Sequence, residues 1–172
     1  MLLNSDRIKL PRFSVKVMAI VALSFPLAMI PVAPCVAYYK IRYGAENHSL
    51  FAGLAGNAAA AQWHAKTSAP LRILAGPFGL VATASAYMPE HPIVYSDFSR
   101  YLSPWVDQQR IDRQGMAIVV PADEPHWVRE ARKRARGADF MEVSLTRRWL
   151  WWESEPQRFL IGILPPKVVP AN

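Results

Sequence analysis

The sequence offers little for covalent cross-linking and few acidic groups. Its 172 residues include one cysteine, Cys35, so no disulfide bond can form within the chain. Thirteen aspartates and glutamates stand against 20 lysines and arginines, which gives a net charge of +7. A basic surface favours nucleic acid, anionic lipid headgroups or phosphate-bearing ligands. The sequence also contains no internal repeat, which excludes repeat architectures.

The motifs of common nucleotide, metal and nucleophile sites are missing as well. Residues 74–79 lie between a predicted strand and a predicted helix, but they lack the glycine spacing and the Gly-Lys-Ser/Thr of phosphate-binding loops. The four histidines, His48, His64, His91 and His126, lack metal-site spacing. No serine lies in a Gly-x-Ser-x-Gly elbow. We therefore predict no catalytic residue, no cofactor and no metal site.

An uncharged run from Val17 to Tyr39 is the strongest positive signal. About 20 apolar residues suffice for a helix to cross the roughly 30 Å of hydrocarbon in a bilayer, so the run predicts a transmembrane helix. A cleaved signal peptide is the main alternative, although its apolar core is usually only about 7–15 residues long. A buried helix of a soluble protein would normally carry polar residues on part of its circumference, and here only Ser24 is polar.

Three prolines interrupt this run: Pro26, Pro31 and Pro34. Each removes a backbone donor and would break a helix in water. Membrane helices tolerate proline where neighbouring helices or local adjustments satisfy the freed carbonyl groups. The prolines therefore suggest that this segment has transmembrane neighbours.

The charges that flank the run predict its orientation. Four basic residues precede it, namely Arg7, Lys9, Arg12 and Lys16, whereas two follow it, Lys40 and Arg42. The positive-inside rule then places the N-terminus in the cytoplasm and the larger part of the chain outside. We predict a single-pass protein of a bacterial inner membrane with a periplasmic domain.

The predicted domain organisation follows from these features. We expect a basic cytoplasmic lead over residues 1–16, a transmembrane helix over 17–39, a linker over 40–56 and an extracytoplasmic α/β domain over 57–172.

Short apolar runs alternate with helical segments in the C-terminal domain. The strands are predicted at 70–76, 92–98, 116–120, 140–146 and 158–164, and the helices at 57–66 (with a possible earlier start at Leu50), 78–88, 103–114 and 125–137. Ser103 is the expected N-cap of the third helix, with Pro104 in its first position. This alternation predicts a three-layer α/β sandwich with a largely parallel sheet and a C-terminal antiparallel hairpin.

Two groups of residues are candidate contact sites. The candidates for lipid or phosphate contact are Arg132, Lys133, Arg134, Arg136, Arg147 and Arg148. The first four are also explained as the solvated end of a helix, where cations complement the helix dipole. For a domain tethered to a bilayer, lipid or phosphate is favoured over nucleic acid.

The candidates for membrane or partner contact are Trp149, Trp151 and Trp152. Three tryptophans in four residues suit a membrane interface, a contact with another protein or a cover for a sheet edge. Residues 153–156 are expected to form the solvated tip of the loop that these tryptophans begin.

The order of several segments resembles a known family. The chain has a membrane helix followed by PLRILAG, a helix that ends at Tyr87-Met88-Pro89, and then HPIVYSDF, SPWVD, GMAIVV and RFLIGILPP. From about Val17 to Pro166, this order is similar to the C-terminal region of bacterial membrane glycosyltransferases. The family is glycosyltransferase family 39, the dolichyl-phosphate-mannose-protein mannosyltransferase-like group, related to aminoarabinose transferases acting on lipid A.

The resemblance implies an integral membrane enzyme that transfers a sugar from a polyprenyl-phosphate carrier to an envelope lipid or glycan. The family's catalytic acidic residues lie in an early extracytoplasmic loop, and no position here matches that motif. The chain would then be a C-terminal part without the catalytic membrane region, which would be its partner. Two alternatives stay open: a stand-alone membrane-anchored domain that binds anionic lipid headgroups or glycan, and a membrane assembly or scaffold protein.

Overall fold

The computed structural model describes residues 12–43, 48–149 and 151–167. The chain divides into two compact units, Met1–Lys40 and Ile41–Asn172. Residues 1–11, which make up most of the predicted cytoplasmic lead, lie outside the described residues.

The N-terminal unit is built on one long helix, α1 (Arg12–Tyr43). It continues through all three prolines, Pro26, Pro31 and Pro34. Its segment Lys16–Lys40 is the one helix among the described residues that is long and apolar enough to cross a membrane, with a mean hydropathy of 2.1. The hydroxyl of Ser24 donates a hydrogen bond to the carbonyl of Val21 (3.3 Å), which satisfies this polar group inside the helix. The helix is therefore compatible with single-pass anchoring.

The second unit is a mixed α/β domain, as the sequence predicts. Its strands are β1 (Ile73–Gly76), β2 (Ile93–Ser96), β3 (Met116–Pro121), β4 (Asp139–Leu145), β5 (Arg148–Trp149), β6 (Trp152–Glu153) and β7 (Gln157–Leu164). Five of them form a sheet in the order β2-β1-β3-β7-β4. The first three are mutually parallel, whereas β7 lies antiparallel to both β3 and β4. The predicted antiparallel pair at the sheet edge is thus confirmed.

The helices of this unit are α2 (Ala52–Lys66), α3 (Phe78–Tyr87), α4 (Gln108–Gln114) and α5 (Pro125–Arg134), and a 3-10 turn at His48–Phe51 leads into α2. Folded structure therefore already occupies residues 48–56 of the predicted linker. Phe51, Ala52 and Ala55 are buried in the core. The physical reason is close packing, because a Cβ atom at Gly56 would lie only 3.2 Å from the Cβ atom of Ala84 on α3.

Alternate residues along the strands contribute to two separate hydrophobic clusters, as the twofold side-chain period of a strand requires. The α2–α3 cluster contains residues of those two helices, Phe51 of the 3-10 turn, and strand residues such as Leu74, Val119 and Ile161. The α4–α5 cluster contains Ile73, Ile118 and Leu160 with buried residues of the other two helices. The domain therefore buries residues from both sets of alternating strand positions.

The start of α4 differs from the prediction. The helix begins at Gln108, and its N-cap is Asp107, whose carboxylate accepts a hydrogen bond from the backbone N–H of Arg110 (2.6 Å). Ser103 is instead fully buried; its hydroxyl accepts from the N–H of Ser96 and donates to the carbonyl of Val94. Both groups lie on β2, which is an edge strand of the sheet that the described residues form.

The segment between β4 and β7 also differs from the prediction. Residues Arg148 and Glu153 face each other across a small antiparallel pair, β5–β6, and so do Trp149 and Trp152. Trp151 therefore lies in the turn of this hairpin, and Glu153 lies in β6 rather than in the predicted tip at 153–156. Ser154 is buried at its base.

We predict that Gly162→Ala destabilises the domain. Gly162 on β7 faces Phe140 on β4, and an added Cβ atom would lie 2.5 Å from the Phe140 ring. Such overpacking costs about 1–3 kcal/mol. The measurement is urea unfolding of the full chain in detergent, followed by tryptophan fluorescence. Gly79→Ala in α3 is the control, because nothing lies within 4 Å of its added Cβ atom. Equal stability of Gly162→Ala and wild type would contradict the described packing.

We also predict a pH-dependent effect of Asp112→Asn. A hydrogen bond from the Lys167 side chain, and then one from Gln108, lower the pKa of Asp112 from its ordinary value of 3.8. A lowered pKa in the folded state stabilises the domain above pH 3.8, and this contribution disappears as the pH falls through the folded-state pKa. The unfolding midpoint of Asp112→Asn should therefore lie below that of wild type at pH 7, and the gap should close in acid. Glu155→Gln should show no gap at either pH.

Candidate functional site

The turn between β1 and α3 is occupied by a carboxylate of the protein itself. The Asp97 side chain accepts a hydrogen bond from the backbone N–H of Phe78, at the first residue of α3 (2.9 Å). The N-terminus of a helix attracts anions. Asp97 therefore takes the position that a phosphate group would need at residues 74–79.

Two of the histidines join separate elements. The Nε2 atom of His48 lies 3.1 Å from Glu124 and 3.7 Å from Asp123, directly before α5. His64 on α2 lies 2.8 Å from Glu90, which precedes β2. Among the described residues, no group of three or more histidines, cysteines or acidic residues could hold a metal ion. These pairs hold parts of the fold together.

The basic residues at the end of α5 lie beside the α4–α5 cluster. The guanidinium of Arg132 is 5.7 Å from the centre of the Phe140 ring, which packs against that cluster. Lys133 and Arg134 lie 3.9 and 3.7 Å from Glu130, one turn earlier in the helix. Arg132, Lys133 and Arg134 form the last turn of α5, where positive charge is favourable. The helix itself accounts for these residues, and Arg136 is exposed just beyond it.

The other two predicted arginines lie elsewhere. The guanidinium of Arg147 is 5.8 Å from the centre of the Phe51 ring, which belongs to the α2–α3 cluster. Arg147 and Arg148 line the same groove. The six basic candidates thus fall into two groups, one beside each hydrophobic cluster, and the pair Arg147 and Arg148 lines a groove.

This groove has a volume of about 1050 Å³. Its walls come from the 3-10 turn, the first turn of α2, one side of α3, residues 146–148 and Glu153 of β6. The apolar lining includes Leu50, Leu54 and Tyr87, and both Leu54 (40% exposed) and Tyr87 (71% exposed) present their side chains to solvent. Arg147, Arg148 and Glu153 supply the charges. We call this site the arginine groove.

Ser154 fixes the base of the hairpin that carries these charges. Its hydroxyl accepts a hydrogen bond from the backbone N–H of Arg147 (3.0 Å) and donates one to the carbonyl of Glu155 (3.0 Å). Its own N–H donates to the carbonyl of Arg147 (2.9 Å). These bonds, together with the stacking of Arg147 on Phe51, hold both arginines at the wall of the groove.

The charged side chains of the groove are available to a ligand. Arg148 and Glu153 occupy facing positions on β5 and β6. Nevertheless, none of the ion pairs in the described part of the chain includes Arg147, Arg148 or Glu153. A ligand could therefore contact both charge types without first breaking an ion pair between them.

The tryptophans lie on the same hairpin. Trp151 is 76% exposed, and its ring centre lies 5.3 Å from that of Trp152 in an edge-to-face arrangement. The side chain of Trp149 lies outside the described residues. An exposed tryptophan beside an apolar and basic groove is typical of a surface that meets a membrane interface or another amphipathic partner.

Sequence reasoning identified the arginines but missed most of the groove. Leu50 and Leu54 fell in the predicted linker, and Tyr87 was treated only as the end of a helix. One signal was present: Leu50 and Leu54 are four residues apart, a spacing that places two side chains on the same side of a helix. The earlier helix start at Leu50, which the sequence allowed, places these two side chains next to each other.

Comparison of the chain with models of protein families, with curated protein sequences and with solved structures finds no match.

Proposed function

We propose that this protein is a membrane-anchored domain whose arginine groove binds the phosphate group of a membrane lipid. The observation that carries the proposal is the position of Arg147 and Arg148, which have no ion-pair partner among the described residues, beside an exposed apolar wall. The groove thus offers cationic donors and an apolar surface together.

The chemistry of the groove suits a lipid headgroup. A guanidinium is planar and donates two parallel hydrogen bonds to phosphate oxygens. Leu50, Leu54 and Tyr87 offer apolar surface for the first carbons of a lipid chain. Solvent screens charges at such an exposed site, so each contact is weak. Affinity would then depend on the high local concentration of lipid.

Tethering supplies that concentration. Leu50 follows Lys40, the end of the candidate span, by ten residues in the sequence. Ten residues reach at most about 35 Å even when fully extended, and the helical residues 41–43 shorten this reach. A short tether raises the effective concentration of headgroups at the groove.

The proposal includes a cytoplasmic N-terminus, a bacterial inner membrane and a periplasmic domain, which the flanking charges favour. It also includes the three-layer α/β sandwich, which the two hydrophobic clusters support.

The test is binding of short-chain phospholipid to the full chain in nonionic detergent. We expect the double variant Arg147→Ala/Arg148→Ala to bind dihexanoyl phosphatidylglycerol about tenfold more weakly than wild type, because it loses charge-assisted hydrogen bonds. Lys133→Ala/Arg136→Ala is the matched control: it removes the same charge from the α5 group and should bind as wild type does. Inorganic phosphate should compete only weakly, since it lacks the apolar part.

Two outcomes would contradict the proposal. Equal losses in both double variants would mean that lipid responds to net charge and not to the groove. Full competition by inorganic phosphate would mean that the groove recognises free phosphate and not a lipid.

A second candidate function is favoured by α1. Its three prolines each free a backbone carbonyl, and its apolar side chains are exposed along the candidate span. Both features suit packing against further membrane helices. We propose that the chain supplies the last membrane helix and the extracytoplasmic domain of a glycosyltransferase that uses a polyprenyl-phosphate sugar. Catalysis would belong to the remaining membrane portion.

The size of the native polypeptide tests this second function. A tag is placed at the C-terminus in the chromosomal gene, and the tagged protein is sized from membranes. The glycosyltransferase proposal predicts either a band well above 19.3 kDa or a fixed polytopic membrane partner that copurifies. A band near 19.3 kDa without such a partner would reject it and leave the lipid-binding domain.

A further inference from the structure

The arginine groove contains a carboxylate as well as two arginines. Glu153 lies on β6 at the position that faces Arg148 on β5, and both residues line the groove. From this arrangement we infer that the ligand is a zwitterionic phospholipid of the phosphoethanolamine type, whose phosphate contacts the arginines and whose ammonium contacts Glu153. The inference rests on the proposed lipid-binding function and specifies the headgroup.

A purely anionic headgroup would meet an unfavourable charge in this groove. Glu153 would repel a phosphate group bound at Arg148, because like charges at such short range oppose binding. A headgroup with its own positive charge turns the same carboxylate into a favourable contact. The combination of two arginines and one glutamate therefore complements a ligand with one negative and one positive group.

The spacing also fits. Side chains directly opposite each other on antiparallel strands have Cβ atoms about 5 Å apart. The phosphate and ammonium of phosphoethanolamine are joined by a short two-carbon linker. Arg148 and Glu153 therefore extend from neighbouring backbone positions, so one headgroup can reach both side chains.

A primary ammonium satisfies Glu153 better than a trimethylated one. The carboxylate accepts hydrogen bonds, and a primary ammonium donates up to three. The trimethylammonium of phosphatidylcholine has no N–H group to donate. The competing interpretation is that Glu153 only balances the charge of Arg148 as a cross-strand pair. That interpretation predicts no preference among headgroups.

The experiment compares three dihexanoyl lipids on the full chain in nonionic detergent: phosphatidylethanolamine, phosphatidylcholine and phosphatidylglycerol. We expect wild type to bind phosphatidylethanolamine about fivefold more tightly than the other two, the upper range for an exposed ion pair. Glu153→Gln should lose this preference by weakening phosphatidylethanolamine alone. Glu155→Gln, which neutralises a nearby exposed carboxylate outside the groove lining, should keep it.

The outcomes separate the two proposals. If Glu153→Gln keeps the wild-type ratios, or if wild type shows no preference, the headgroup inference is overturned. Loss of all three lipids in Arg147→Ala/Arg148→Ala would at the same time uphold the lipid-binding function. If wild type binds none of the three lipids, both proposals fail.

Discussion

The fold depends on burial of the central strand β3, whose six residues are all buried. It pairs in parallel with β1 and in antiparallel fashion with β7, so it joins the parallel half of the sheet to the antiparallel half. Its side chains alternate between the α2–α3 cluster and the α4–α5 cluster. A shift of one residue in its register would exchange these two sets of contacts. Residues of all four helices of the domain therefore share a hydrophobic cluster with residues of this strand.

The α2–α3 cluster helps to hold the arginine groove in shape. Phe51 is buried in that cluster beside Phe159 of β7, and Arg147 stacks on the Phe51 ring. The core thus supports one of the two cations directly. The other, Arg148, depends on the hairpin that Ser154 holds at its base. The exposed arginines of the groove are therefore held in position by the buried residues Phe51 and Ser154.

The sequence predicted where the strands lie along the chain, but it did not predict which side chains contact each other in the fold. The five main strands are short apolar runs bounded by glycine, proline or polar residues, and that local pattern was sufficient. The role of Ser103 was not predictable locally, since its partners Ser96 and Val94 lie on an edge strand that only the sheet order defines. The split of the basic residues also needed the fold, because β4 carries the chain along the sheet between Arg136 and Arg147. Residues close in sequence were thereby separated.

Ser103 has a consequence for self-association. An edge strand normally presents free N–H and C=O groups that another chain can pair with. On β2 the Ser103 hydroxyl already bonds the outward N–H of Ser96 and the carbonyl of Val94. The opposite edge, β4, carries the charged side chains of Asp139 and Glu142, which discourage strand addition. At β2 a side-chain hydroxyl satisfies backbone groups that another strand could bind, and at β4 charged side chains oppose strand pairing. Both edges of the sheet therefore disfavour aggregation by strand addition.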